Sequence, residues 1–443
     1  MSALIGQVCC DRIHAVESLP DSPPLFDQKR ADEYHTMRVH RIAFVVLLLA
    51  PLTVSAQPEG VETVTVADLA GREHSGTLRQ LTNTMLTIGD ETPQRFDLSD
   101  LLSIRFRKRA AAIRQRGSMV LLAGGDRLLL QPTSLDEDDL VGIWQYFPAW
   151  PRLNIPLECV RAIAFQLPED APTRHRLTAE LLEYREKSDT VILENGDRLR
   201  GQLIRLSADA LAFEGPVGKS SIPSNDIRAL ALNSELISVP KKTGKRVLLE
   251  LRDGSRLTAR RVVLSEQGLL EVETQFGSGL RVPTSAVVSM RFLGGRAVYL
   301  SDMKPVDFEF TPYFQTRWPL RLDRNVNGGP LRLKGREHAK GLGMHSRSVV
   351  SYDLAGEFSQ FRATVGIDDS AGRKGSVQFA VEVDGERVFT SSVMTGTDTP
   401  TSIGPLDVSG KKRLTLIVEF GERGDILDHA NWCNPLLIRQ GER

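Results

Sequence analysis

This chain has little from which to build a disulfide-stapled or strongly charged protein. Of its 443 residues only four are cysteines, and aromatic side chains make up 6%. So few cysteines exclude a disulfide framework. Charge of one sign is missing too, because 56 basic residues meet 56 acidic ones. A nucleic-acid binder carries a basic excess or patch, so nucleic acid is not an expected partner. No His-Glu-x-x-His, Gly-x-Ser-x-Gly or P-loop pattern occurs, which removes the usual signs of zinc proteases, serine hydrolases and NTPases. Hydrophobic residues make up 41%, enough for packed cores, and the length suggests several domains.

The N-terminal region carries an address. From Met37 it reads MRVHRIAFVVLLLAPLTVSAQPEG. Arg38 and Arg41 form a basic start, Ile42 to about Leu52 an apolar core, and Val54-Ser55-Ala56 a small-residue cleavage site. That is a secretory signal peptide at 37–56, cut after Ala56. Its apolar run is too short for a stable membrane span, so a secreted or periplasmic protein is expected. Signal peptides begin at the start codon, so residues 1–36 read as a mis-assigned extension. Cys9 and Cys10 are then absent from the mature chain, leaving Cys159 and Cys433, whose pairing is not readable here.

Between the signal and residue 300 one pattern recurs. In its clearest copy, strand, Asn195-Gly196-Asp197 turn and strand precede Ile222, Ile227, Leu230 and Leu232. The Asn-Gly step supplies the positive φ of a tight hairpin. The same apolar offsets return at Ile155, Val160, Ile163 and Phe165, and at Val282, Val287, Met290 and Phe292. A divergent copy has Phe96, Leu101, Ile104 and Phe106. Glycine turns precede each, at Gly71, Gly125, Gly196 and Gly254. Units of about 45 residues, placed at 60–107, 117–167, 189–235 and 244–296, are therefore expected to curl into small barrels or pack on neighbours. The strand order resembles Sm-like or SH3-like barrels. RNA binding by such barrels suits a secreted, neutral chain poorly, so spacer or protein-interaction modules are expected. In the linker at 168–188 the run that starts at His175, with Leu177, Leu181, Leu182 and Tyr184, predicts a short amphipathic helix that docks on a barrel. The basic run Arg107 to Arg116 reads as a solvated linker.

After Leu300 alternating strands dominate. Val377–Val383 leads through Asp384-Gly385-Glu386 into Arg387–Thr390, and Arg413–Phe420 alternates again. Strands of this kind over 300–441 predict a two-sheet sandwich. The fold class is thus all-β, with tandem small barrel-like repeats followed by a two-sheet sandwich.

Three stretches carry a resemblance: Gly341-Leu342-Gly343-Met344-His345-Ser346, Val365-Gly366-Ile367-Asp368-Asp369, and Asp428-His429-Ala430-Asn431-Trp432. With their surroundings they resemble the NPCBM domain, a carbohydrate-binding module of bacterial secreted glycosidases. The resemblance covers about a third of the chain. It implies a galactose-binding-type jelly roll that binds a glycan without cleaving it. It also implies a structural calcium ion as an optional companion, with no ligands assigned; no other cofactor is expected.

The residue types suit that chemistry. A sugar site uses a flat aromatic face and planar polar groups that bond neighbouring hydroxyls. Trp432 offers the face, and His345, Arg347, Asp428, His429 and Asn431 the polar groups. Other roles stay open: Trp432 in the core, His345 ordering its turn, Asp368-Asp369 capping a hairpin. Asp425, Asp428 and His429 lack a third ligand at zinc spacing. A glycoside hydrolase needs two carboxylates held across a sugar by a cleft-forming domain, and small β units already account for the length. The expectation is a non-catalytic glycan-binding protein, with a protein-interaction scaffold as the alternative and protein partners for the repeats.

Overall fold

The computed structural model describes residues 62–107, 115–313, 315–422 and 424–441. The signal sequence, the extension before it and residues 108–114 of the basic run lie outside them. Among the described residues no helix is long and apolar enough to cross a membrane.

Four successive segments share one arrangement. Their opening strands are Thr63–Asp68, Met119–Leu122, Asp189–Leu193 and Arg246–Leu251. Each leads into a turn whose glycine (Gly71, Gly125, Gly196 or Gly254) has φ between 82° and 96°. Only glycine adopts that conformation without strain. Near its end each segment makes a single 3-10 turn, at Leu98–Asp100, Leu157–Cys159, Ser224–Asp226 or Thr284–Ala286. A closing strand follows directly and pairs antiparallel with the segment's own opening strand. The recurring apolar offsets are the buried face of this unit: Ile104, Ile163, Leu230 and Met290 are each 0% exposed. All four segments contribute to one hydrophobic cluster.

The segments associate out of chain order. Closing strand Leu101–Phe106 pairs with Val287–Leu293, joining the first segment to the fourth. Val160–Ala164 pairs with Ile227–Ala231, joining the second to the third. Each pairing covers strand edges that would otherwise expose unpaired backbone groups. Helix Ala171–Glu183 begins one turn earlier than its apolar spacing suggested. The Asp170 side chain caps it by accepting from the Thr173 amide, and proline occupies the first turn. Its Leu177 and Leu181 pack against Met119, Leu121, Ala162, Ala164 and Ile192.

Beyond residue 296 two antiparallel sheets face each other. One runs Arg321–Leu322, Gly341–His345, His429–Arg439, Phe358–Ile367, Thr401–Asp407. The other runs Asp307–Phe310, Ser348–Asp353, Arg413–Phe420, Ser376–Val383, Glu386–Thr390. Phe361, Val365, Phe379, Leu416 and Trp432 fill the space between them. Final strand His429–Arg439 alternates, as strands must. Ala430 and Trp432 enter that core, whereas Cys433 packs outward against Leu331 and Leu333 of the small hairpin Leu331–His338. Cys159 and Cys433 are both free thiols.

The sandwich meets the repeats through an apolar seam of Leu69, Leu248, Leu293, Tyr299 and Ile438. Beside it Glu337 of the hairpin binds three guanidinium groups. Arg127 of the second segment lies 3.1 Å away, Arg256 of the fourth 2.8 Å, and Arg332 of the hairpin itself 3.4 Å.

Candidate functional site

The site grows from the outer face of two adjacent strands. Gly341–His345 and His429–Arg439 pair with His345 opposite His429 and Gly343 opposite Asn431. Period-two alternation therefore puts both histidines on the face away from Trp432. Gly343 must lack a side chain, because a Cβ there would meet the Arg324 carbonyl oxygen at 2.4 Å. Its bareness lets the segment around residues 318–330 close over the strand pair. At one end of that segment Trp318 lies parallel to His345, with ring centroids 4.7 Å apart at an interplanar angle of 6°. Trp318 is half-buried. The His429 ring is 6.1 Å from Trp318 and 6.0 Å from His345.

Hydrogen bonds define both imidazoles. His345 Nδ1 lies 3.0 Å from the Ser346 carbonyl oxygen. A carbonyl only accepts, so Nδ1 carries the hydrogen and Nε2 is left as an acceptor. His429 Nδ1 lies 3.3 Å from the Asn327 amide nitrogen and 3.1 Å from Ser370 Oγ. The amide donates, so Nδ1 accepts and Nε2 carries the hydrogen. Burial holds His345 below the usual imidazole value and lowers His429 to about 4. Both rings are neutral at pH 7, one with an acceptor and the other with a donor at Nε2.

Behind them lies a polar brace. Asp428 is fully buried; its Oδ1 accepts from the Ser376 amide at 2.7 Å and its Oδ2 from the Ser346 hydroxyl. Burial raises its carboxyl to about 6. Asp368 accepts four hydrogen bonds, from the side-chain amides of Asn325 and Asn431 and the backbone amides of Arg332 and Ser370. Asp369 accepts from the Lys334 and Gly335 amides, which caps the hairpin. Asp368 and Asp369 face N–H donors, a setting unlike the oxygen-rich shell of calcium. Among the described residues no three His, Cys, Asp or Glu gather where they could hold a metal.

Of the six side chains expected from the sequence, His345 and His429 come together beside Trp318. Asp428 and Asn431 are fully buried behind them. Arg347 turns to the opposite sheet, where its Nε donates to Glu419 at 2.8 Å. Trp432 is 0% exposed and meets the ring of Phe379 edge-on at 5.4 Å. It is the core residue of the two roles left open, and the half-buried tryptophan of this region is Trp318, one face of which lies on His345. The sequence reading missed Trp318, Asn327 and Ser370. A tryptophan in a stretch with no strand alternation, next to Pro319, was the available signal for the first. Strand periodicity was the signal against grouping Trp432 with His429 and Asn431.

Trp318 is thus half-buried against two neutral imidazoles that are themselves nearly covered, His345 being 2% and His429 4% exposed. Residues 296–438 match the NPCBM/NEW2 domain. Part of the chain is 34% identical, over 112 residues, to a candidate endo-alpha-N-acetylgalactosaminidase of Renibacterium salmoninarum. Another stretch of 117 residues is 30% identical to alpha-1,3-galactosidase B of Akkermansia muciniphila. These matches cover 25% and 26% of this chain, and span only 7% and 15% of those proteins. Among solved structures, the chain is similar to the CBM51 of Clostridium perfringens GH95 in complex with methyl-galactose. Identity there is 28% over 32% of this chain and 99% of that one, with a TM-score of 0.29. The CBM51-2 and INT domains of Clostridium perfringens ZmpB, with GlcNAc, match at 26% identity over 46% of this chain and 39% of that one, with a TM-score of 0.30.

Proposed function

We propose that the sandwich binds a galacto-configured glycan at the surface formed by Trp318, His345 and His429. The observation that carries this reading is the parallel stack of half-buried Trp318 on a neutral His345 with His429 alongside. An indole plane takes the C–H face of a pyranose. The His345 acceptor and the His429 donor suit two hydroxyls of one ring, each of which can both give and take a hydrogen bond. The names of the two curated relatives, one acting on galactose and one on N-acetylgalactosamine linkages, support the galacto configuration. The protein attaches to glycans and does not cleave them. The four repeats, proposed to be Sm-like or SH3-like, act as spacer or assembly surface, and the chain is exported through the signal at 37–56.

Titration of the full chain with methyl-galactoside and with N-acetylgalactosamine, read by calorimetry and tryptophan fluorescence, tests the reading. Saturable binding that Trp318→Ala removes is expected. Release of 4-nitrophenol from a nitrophenyl galactoside by the pure protein would contradict the non-catalytic part. N-terminal sequencing of secreted material should begin at Gln57.

A further inference from the structure

Where the second repeat, the helix and the sandwich meet, the described residues enclose a cavity of about 1030 Å³. That is at the upper end for small-ligand sites, with room for more than one sugar ring. Its charge contrasts with the neutral chain. Eleven lysines and arginines line it against five aspartates and glutamates.

Part of this excess is neutralised within the protein. Arg127, Arg256 and Arg332 converge on Glu337, and Lys340 binds Asp302 and Asp323 at 2.8 and 2.6 Å. Arg246 and Arg252 donate to the carbonyls of Gly244 and Ser285, and four more arginines have similarly weak company. Arg161 reaches only the Tyr184 carbonyl oxygen, at 3.5 Å. Arg185 donates to the carbonyls of Leu182 and Tyr184, and Arg174 to those of Pro168 and Glu169. Arg324 has one long ion pair, 3.9 Å to Glu183, a carboxylate already held by Arg321 at 2.6 Å. Neutral carbonyls orient a guanidinium without cancelling its charge. Burial, followed by the like charges of Arg185 and Arg324, lowers the pKa of Arg161. Arg161, Arg185 and Arg324 therefore repel one another across this wall, at a cost that an anion would remove. Guanidinium forks match the paired oxygens of carboxylates and sulfates.

We infer that this cavity is a second binding site, for an oligosaccharide bearing carboxylate or sulfate groups, held by Arg161, Arg174, Arg185 and Arg324. The site is separate from the Trp318 surface yet shares a segment with it. Trp318 and Asn327 serve the outer surface, while Arg324 and Gly328 line the cavity. The saccharide part of the assignment rests on the glycan-binding reading of the sandwich; the anion part does not.

The test is calorimetry on the full chain at low and high salt with four probes: a heparin-derived hexasaccharide, an oligogalacturonate, sodium sulfate and methyl-galactoside. At least one acidic oligosaccharide should bind, more weakly as salt rises. Arg161→Ala and Arg324→Ala should each weaken that binding about tenfold or more while leaving methyl-galactoside binding unchanged. Neither variant should lower the ligand-free Tm, because each removes a like charge from a crowded wall. Trp318→Ala should do the reverse, sparing the acidic probe. Absence of acidic-oligosaccharide binding, or binding indifferent to both arginine variants, overturns the site. Sulfate binding as tight as the oligosaccharides overturns the saccharide assignment. Loss of methyl-galactoside binding in the wild type speaks only against the reading of the sandwich.

Discussion

Trp318 and His345 lie face to face, 4.7 Å apart and 6° from parallel, although 26 residues of chain separate them. Their stack is made possible by Gly343, whose missing side chain lets the Arg324 backbone close over the strand. On the proposed reading, ligand recognition and folding are divided between two tryptophans, one on each side of the same sheet.

That division predicts opposite phenotypes. Trp318→Ala should abolish galactoside binding and leave the urea midpoint nearly unchanged. Trp432→Ala should destabilise the sandwich by about 3–5 kcal/mol, the cost of emptying a large buried aromatic site. Chemical denaturation and calorimetry on both variants check this; a stable, binding-deficient Trp432→Ala would reverse the assignment.

Much of this was legible in the sequence. The recurring apolar offsets mark residues that are buried, because a closing strand with one face inward repeats its spacing wherever the unit repeats. That His345 and His429 lie together was also legible, since short distinctive stretches carry them. Trp318 was not, because its place depends on a long-range closure over Gly343 that no local periodicity encodes. Trp432 was misread as a platform candidate for a simpler reason: adjacent strand residues point to opposite faces. The out-of-order pairing of the repeats was invisible for the same reason as Trp318, being a choice among equivalent edges.

Asp368 should behave as a structural hub. It accepts from Asn325, Arg332, Ser370 and Asn431 while 1% exposed. Asp368→Ala strands several buried donors, and each costs roughly 1–3 kcal/mol. Loss of at least about 3 kcal/mol in urea denaturation is expected, with loss of galactoside binding as the hairpin and Asn327 segment loosen.

The pH profile should carry two opposing signatures. Burial lifts Asp428 from 3.8 to about 6. Between those values the folded state keeps a proton that the unfolded chain has released, so stability falls as pH rises through the window. Asp428→Asn removes that loss, and the Tm difference from wild type should climb between pH 4 and 6 and then stay level. His429, lowered from 6.5 to about 4 by burial, acts the other way. The unfolded chain takes up its proton first, so this stability is present above pH 6.5 and is lost as pH falls towards 4. His429→Gln should flatten that limb.

Glu337 should hold the sandwich to the repeats. Burial alone would raise its carboxyl, but Arg127, Arg256 and Arg332 overcome it and bring it to about 2. Its contribution is complete above pH 4.5 and disappears as pH falls to about 2. With its side chain 24% exposed, Glu337→Gln should cost about 3 kcal/mol, the lower end for breaking a buried ion pair. It should also speed proteolysis between repeats and sandwich.

The central claim is best tested by calorimetric titration of methyl-galactoside into wild-type protein and Trp318→Ala side by side, with folding of both verified by thermal melts. Saturable wild-type binding at one site, lost in Trp318→Ala at an unchanged Tm, is the predicted result. Wild-type protein that binds no galactoside or N-acetylgalactosamine, or binding that survives in Trp318→Ala, would contradict it.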